Sequence, residues 1–129
     1  MQIHTELITV VESDLDELNH VNNVRYVQWV NHIAKAHWLK MASQSMLDTY
    51  FWVLINHQIN YKSQALLNDN ILLKTFFKSS EGVTSTRIVE IYNNNTQKLL
   101  AASETKWCFM DAKTKKPIRI IPKVANLFH

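Results

Sequence analysis

Apolar and polar positions alternate at the start of the chain, shift to a helical period, and then return to alternation until the end. Residues 3 to 11 place Ile3, Thr5, Leu7, Thr9 and Val11 on one side and His4, Glu6, Ile8 and Val10 on the other, which predicts a strand. From residue 24 to about 41, Gln28, Asn31, His32 and Lys35 fall on one helical stripe, and apolar side chains take most of the remaining circumference. Such a helix should be largely buried and roughly 27 Å long, enough to cross a sheet. Asn22 or Asn23 is placed to cap it.

Period two then persists. Phe51, Val53, Ile55, Ile59 and Tyr61 are expected to share a face, followed by Ile71, Leu73, Thr75 and Phe77, and then by Val83, Ser85, Arg87, Val89 and Ile91. A last long strand is expected near residues 99 to 110. The breaks at residues 67–70, 79–82 and 93–97 are short, which predicts antiparallel neighbours. One strand, a buried helix and four strands make an α+β fold. One helix cannot cover both faces of the sheet, so the other face is either polar or a subunit interface.

Composition narrows the class. A chain of 129 residues has the length of one domain, expected to span 1–129, and buries about two thirds of its unfolded surface. No run of about 18 apolar residues is present to span a membrane. The opening MQIHTELITVVESD has neither a basic start nor an unbroken apolar stretch, so a cytoplasmic protein without a secretory signal is expected. Cys108, the only cysteine, permits no internal disulfide and no cysteine-based zinc site, and no metal is expected.

Charge is unevenly spread. Residues 1 to 59 hold three Lys/Arg against six Asp/Glu, whereas residues 60 to 129 hold eleven against five. Lys113, Lys115, Lys116, Arg119 and Lys123 crowd toward the end, a field that attracts an anionic partner. No zinc finger, RNA-binding aromatic motif or helix-turn-helix pattern accompanies them, so a small phosphorylated ligand fits better than nucleic acid. Gly82 is the only glycine, so left-handed backbone positions are expected to fall to asparagines, with Asn19, Asn68 and residues 93–95 as candidates.

The chemistry concentrates in ESDLDELNHVNN, residues 12 to 23, where four carboxylates, a histidine and two asparagines precede the helix. In its context this run resembles the hotdog-fold thioesterases, which include 4-hydroxybenzoyl-CoA thioesterase and acyl-CoA hydrolase relatives. The local match is closest to acyl-carrier-protein thioesterases, carried by Ser13 to Asp16, His20 to Val24, Tyr26 and Trp29. Ile59-Asn60-Tyr61, Glu104-Thr105-Lys106-Trp107 and residues 117–122 extend the likeness over nearly the whole chain. The resemblance implies a hotdog fold, an antiparallel sheet of five or six strands wrapped around a long buried helix.

It also implies roles. Asp16 matches the family's catalytic carboxylate, nucleophile or general base according to subfamily. The Asn23 backbone N–H matches an oxyanion donor at the helix start, and His20 a hydrogen-bonding or water-positioning histidine. Asn22 is read as a cap beside the substrate, while His57 is read as structural. Tyr26, Trp29 and Ile33 are candidates for lining an acyl tunnel, and Lys62, Lys113, Lys115 and Arg119 for contacting phosphates.

The substrate so implied is an acyl-CoA or acyl-carrier-protein thioester, with coenzyme A or phosphopantetheine entering only as part of it. Its pantetheine arm would lie between subunits of a homodimer or dimer of dimers. Three positions depart from the relatives: Leu18 replaces an asparagine, Asn19 a glycine, and Asn31 a helix carboxylate. These departures leave Asp16 as the acid on which hydrolysis must rest. The alternatives are a non-catalytic acyl-thioester binding module on the same fold and a hotdog dehydratase, whose separate histidine and acid motif is not found.

Overall fold

In the computed structural model, which describes all 129 residues, the first alternating stretch forms β1 (His4–Thr9). Its inward side is the even-numbered one, and the strand is shorter than the expected 3 to 11. Ile3, Leu7 and Val11 are exposed while Val10 is fully buried. A short 3₁₀ turn, Glu12–Asp14, leads through the charged loop into α1 (Asn23–Met41). Asn22 is the cap: its side chain accepts the Val24 N–H at 3.0 Å.

α1 is less buried than its pattern predicts. Tyr26, Trp29, Val30, Ile33, Ala34 and His37 face inward, whereas Gln28, Asn31, His32 and Lys35 stay exposed, together with Val24 and Leu39. A single sheet covers only one side of a helical cylinder. A second helix, α2 (Gln44–Thr49), follows Ser43, whose hydroxyl caps it, and the chain ends in α3 (Pro122–Phe128), with proline at its first turn. Neither short helix was expected from the pattern.

The remaining strands are β2 (Tyr50–Tyr61), β3 (Asn70–Glu81), β4 (Thr84–Asn93) and β5 (Leu99–Asp111). All pair antiparallel in the order β1-β3-β4-β5-β2. Short links make β3, β4 and β5 neighbours as expected. The link at residues 67–70 is a different case, because β2 and β3 are separated by two strands. There Asn68 takes φ +70° and the Asn68 N–H donates to the Val10 carbonyl, so the break ends a crossover rather than a hairpin.

β2 also departs from simple alternation. Its register against β5 shifts between Leu54 and Asn56, so Trp52 and Leu54 share the inner face with His57, Ile59 and Tyr61. Val53 and Ile55 are exposed. The extra residue reverses the parity of the strand's two halves. Left-handed backbone occurs at Asn19 and Asn68 as expected and also at Gly82, but residues 93–95 avoid it. There the Asn93 side chain accepts the N–H groups of Asn95 and Thr96, and the turn closes with Gln97 at φ +63°; Lys115 is the other such position.

Two apolar groups fill the space under the sheet. Val30, Ile33, Ile71, Leu73, Val89, Ile91 and their neighbours form the main core beneath α1. Met46, Phe109 and Val124 form a smaller one at the other end, closed by the C-terminal segment. Phe128 of α3 stacks on Phe77 with centroids 4.2 Å apart, and its carbonyl accepts the Gln2 N–H, which ties the two termini together. No helix is long and apolar enough to cross a membrane.

Candidate active site

The charged loop is a small hairpin laid against the core. Asp14 accepts the Asn22 N–H, Leu15 pairs with Val21, and Asp16 donates its N–H to the His20 carbonyl at 2.8 Å. Leu15 and Val21 pack on the main core, while Asp16 and His20 are half-buried at its edge. Asn19, at φ +62°, makes the turn that brings His20 back to Asp16. Asparagine tolerates this left-handed conformation better than most residues.

The four acids of the loop divide cleanly. Asp14 is buried and structural: one oxygen accepts the Val11 N–H at 2.9 Å and the other pairs with Arg25 Nε at 2.9 Å. Glu12 and Glu17 are exposed. Asp16 Oδ1 accepts the N–H groups of Leu18 at 2.9 Å and His20 at 3.2 Å, and Oδ2 makes no bond within the chain. One oxygen thus holds the side chain and the other remains available. The His20 imidazole is likewise uncommitted.

At the start of α1 the Val24 N–H goes to the Asn22 side chain and the Arg25 N–H to the Asn22 carbonyl. The Asn23 N–H has no acceptor, at the end of the helix where the dipole is positive. The Tyr61 hydroxyl donates to the Asn23 carbonyl at 3.5 Å, so the far end of β2 and the adjoining Lys62 lie at this helix start. Lys62 is exposed and its backbone N–H donates to Leu100. A shallow hollow of about 120 Å³ between the loop and Gln28 borders the same region.

Asp16, His20, Asn22 and Asn23 therefore come together around one short hairpin. Tyr26 and Trp29 do not open onto it. Tyr26 is buried, its hydroxyl accepts the Ala65 N–H at 3.0 Å, and burial pushes its phenol up, so it stays neutral. Trp29 and Ile33 join it in the closed core. His57 lies on the inner face 2.8 Å from Ser103 Oγ, where burial lowers its imidazole pKa. Lys113, Lys115 and Arg119 are exposed.

A cavity larger than this hollow lies elsewhere. It measures about 330 Å³ and sits between the second half of α1 and the sheet, lined by Asn31, Ala34, Lys35 and Trp38 from the helix and by Phe51, Trp52, Phe77, Ser85, Arg87 and Trp107 from the strands. The sequence pattern does not mark these residues as substrate contacts; the signal it holds is Arg87, the one charge in the alternating row Val83, Ser85, Arg87, Val89 and Ile91. No group of three or more His, Cys, Asp or Glu side chains capable of holding a metal is assembled.

Residues 10–128 match the thioesterase-like superfamily. The chain belongs to that superfamily. Thioester hydrolysis is its general activity, and the fold is the hotdog fold. Among solved structures it is similar to YbaW, a probable thioesterase from Escherichia coli, with 23% identity, 95% of this chain and 94% of the other covered, and a TM-score of 0.83. Slr0204, a 1,4-dihydroxy-2-naphthoyl-CoA thioesterase from Synechocystis, is 15% identical over 98% and 95% of the two chains, also at 0.83. A Staphylococcus aureus protein solved in complex with CoA is 13% identical over 98% and 81%, again at 0.83. A search of curated proteins found no match.

Proposed function

We propose that the protein hydrolyses acyl-CoA or acyl-carrier-protein thioesters to free acid and thiol, with Asp16 as the reacting carboxylate. The observation that carries this reading is the division of labour within the Asp16 side chain. Oδ1 is anchored by two backbone N–H groups, and Oδ2 is left free on the hairpin that leads into the helix whose first N–H, that of Asn23, is unpaired.

A thioester oxygen accepting from Asn23 would have its developing negative charge stabilised by that donor and the helix dipole. Asp16 Oδ2 then either attacks the carbonyl carbon, expelling the thiolate to leave a mixed anhydride that water hydrolyses to the free acid and the restored carboxylate, or removes a proton from a water that attacks directly. In both routes C–S breaks, one oxygen of the free acid comes from water, and the departing sulfur takes up a proton released by that water or its surroundings. The His20 imidazole is free to hydrogen-bond to the thioester or the water.

A second copy of the chain fits this chemistry. β2 ends the sheet, and its outer edge offers a row of unpaired backbone groups along 12 residues. Phe51 and Trp52 at one end of β2 line the large cavity, and Tyr61 at the other end touches Asn23. Antiparallel pairing of two β2 edges about their midpoint would set the cavity of one copy opposite the Asp16 loop of the other. The homodimer would thereby join a reacting carboxylate to an acyl pocket that one chain holds apart from it. Asn31 is eight residues beyond Asn23, about 12 Å along the helix.

CoA as carrier is favoured by the exposed basic groups of the second half of the chain and by the CoA complex of the Staphylococcus aureus neighbour. The test is thiol release from a panel of acyl-CoA and acyl-carrier-protein thioesters by the wild type and by Asp16→Asn. The wild type should cleave at least one member, and the variant should lose roughly 10²–10⁴-fold in turnover while still binding substrate. Absence of cleavage above background across the panel would show the reading to be wrong.

A further inference from the structure

Arg87 is an unusual residue to find beneath a hydrophobic helix. It is 4% exposed on the inner face of β4, and no carboxylate lies within ion-pair distance of it. Its Nη1 is committed to His37 Nδ1 and to Thr75 Oγ1, both at 2.9 Å. The guanidinium lies over the Phe77 ring, 4.5 Å from its centroid. The Nε–H and the Nη2 hydrogens have no acceptor in the chain. Yet no buried side-chain nitrogen or oxygen of the protein lacks a partner, so these two nitrogens are not sealed in the core; they open into the cavity that Arg87 lines.

The charge is real at neutral pH. Burial lowers the guanidinium pKa to about 9, which still leaves it protonated. His37 is held neutral, its pKa lowered to about 3 by burial and then by the neighbouring Arg87, so it accepts from the arginine without compensating its charge. Isolated buried cations are costly and are normally paired. The cavity brings no anion: its lining has no acidic side chain and adds Lys35, while Lys115 stands 5.6 Å from the ring centroid of Phe51 at its wall. Its other walls are aromatic, with Trp38, Trp52 and Trp107 among them.

We infer that this cavity is a pocket for an acyl group bearing a carboxylate at its far end, with Arg87 as the partner of that carboxylate and the aromatic walls enclosing the stem. The inference rests on the acyl-thioester reading above and specifies its substrate class. Nε and Nη2 present the parallel fork that matches two carboxylate oxygens. A methyl-ended chain would leave the donors unpaired in a dry site, and a specific hydrogen-bonding pocket discriminates against such an analogue.

The experiment separates pocket from chemistry by using thioether analogues that cannot be hydrolysed. The affinities of S-(ω-carboxyalkyl)-CoA and of the S-alkyl-CoA of equal length are measured by calorimetry on the wild type, Arg87→Met and Lys35→Met. The wild type should favour the carboxylate by about ten- to a hundredfold, the value of a charged hydrogen-bonded contact. Arg87→Met should abolish the preference and leave the alkyl analogue bound. Lys35→Met, an exposed substitution, should fold and reduce the preference in part, which keeps the test open if Arg87→Met does not fold. Equal or weaker binding of the carboxylate analogue by the wild type overturns the inference and leaves the thioesterase reading standing. If neither CoA analogue binds, CoA is not the carrier, and the same pair built on phosphopantetheinyl carrier protein is measured; equal binding of that pair, or none, overturns the inference.

Discussion

The two ends of α1 handle charge in opposite ways. At its start, Asp16 is half-buried and its bound oxygen is satisfied by the backbone of its own hairpin, so the carboxylate is oriented while its other oxygen stays in contact with solvent. Toward its end, Arg87 is shut under the helix, braced by a neutral histidine and a threonine, with its remaining donors turned into an aromatic cavity. A group that must react benefits from access and a fixed direction. A group that must recognise benefits from a dry wall, where an unmade bond is expensive. The first site therefore bears on turnover and the second on which acyl group is chosen.

That contrast is open to direct tests. The largest effect belongs to Asp16→Asn, which keeps an oxygen to accept from Leu18 and His20. Turnover should fall by roughly 10²–10⁴-fold with the melting temperature nearly unchanged. A matching loss of stability would mean that the carboxylate is mainly a turn residue.

His37 gives the next effect. Its folded pKa, about 3, lies below its ordinary value of 6.5 because of burial and of Arg87, with His4 and Lys40 adding to the repulsion. Above pH 6.5 the folded and unfolded chains are both neutral there and stability is unaffected. As pH falls through 6.5 toward 3, the unfolded chain gains a proton that the native one refuses, and stability drops with a slope approaching about 1.4 kcal/mol per pH unit. Urea unfolding between pH 7 and 5, compared with His37→Gln, isolates this group before most carboxylates titrate. Parallel curves for the two proteins would refute it.

Asn22→Ala should come third. Loss of its cap to Val24 costs about 1 kcal/mol in chemical denaturation and should lower kcat by loosening the helix start that presents the Asn23 N–H. The smallest effect is expected for Arg25→Gln, which removes a partly exposed partner of Asp14. A change of about 1 kcal/mol or less, with acyl preference unaltered, would place that pair in the scaffold alone.

Much of this arrangement was legible in the chain. The loop before the helix showed its left-handed Asn19 and its cap at Asn22 or Asn23, because both depend on residues only a few positions apart, whereas its folding into a hairpin appears only in the structure. The period of residues 24 to 41 located α1 to within a residue at its start. β2 was less legible: a bulge at its middle reversed which of its odd-numbered residues face inward, and only pairing with β5 reveals it. Tyr26 and Trp29 looked like tunnel residues because apolar helix positions look alike in sequence. Their neighbours are what close them into the core.

By itself, the sequence determined the order of strand, helix and four strands, the α+β class, and the polar loop before the helix that carries Asp16. These follow from side-chain period and from hydrogen bonds between near neighbours. Tertiary structure alone decided the strand order, the inner face of β2, and the meeting of His37 with Arg87 from elements fifty residues apart. Burial depends on what the folded chain lays across a residue. An arginine in an alternating strand becomes a recognition group only when a helix has closed over it.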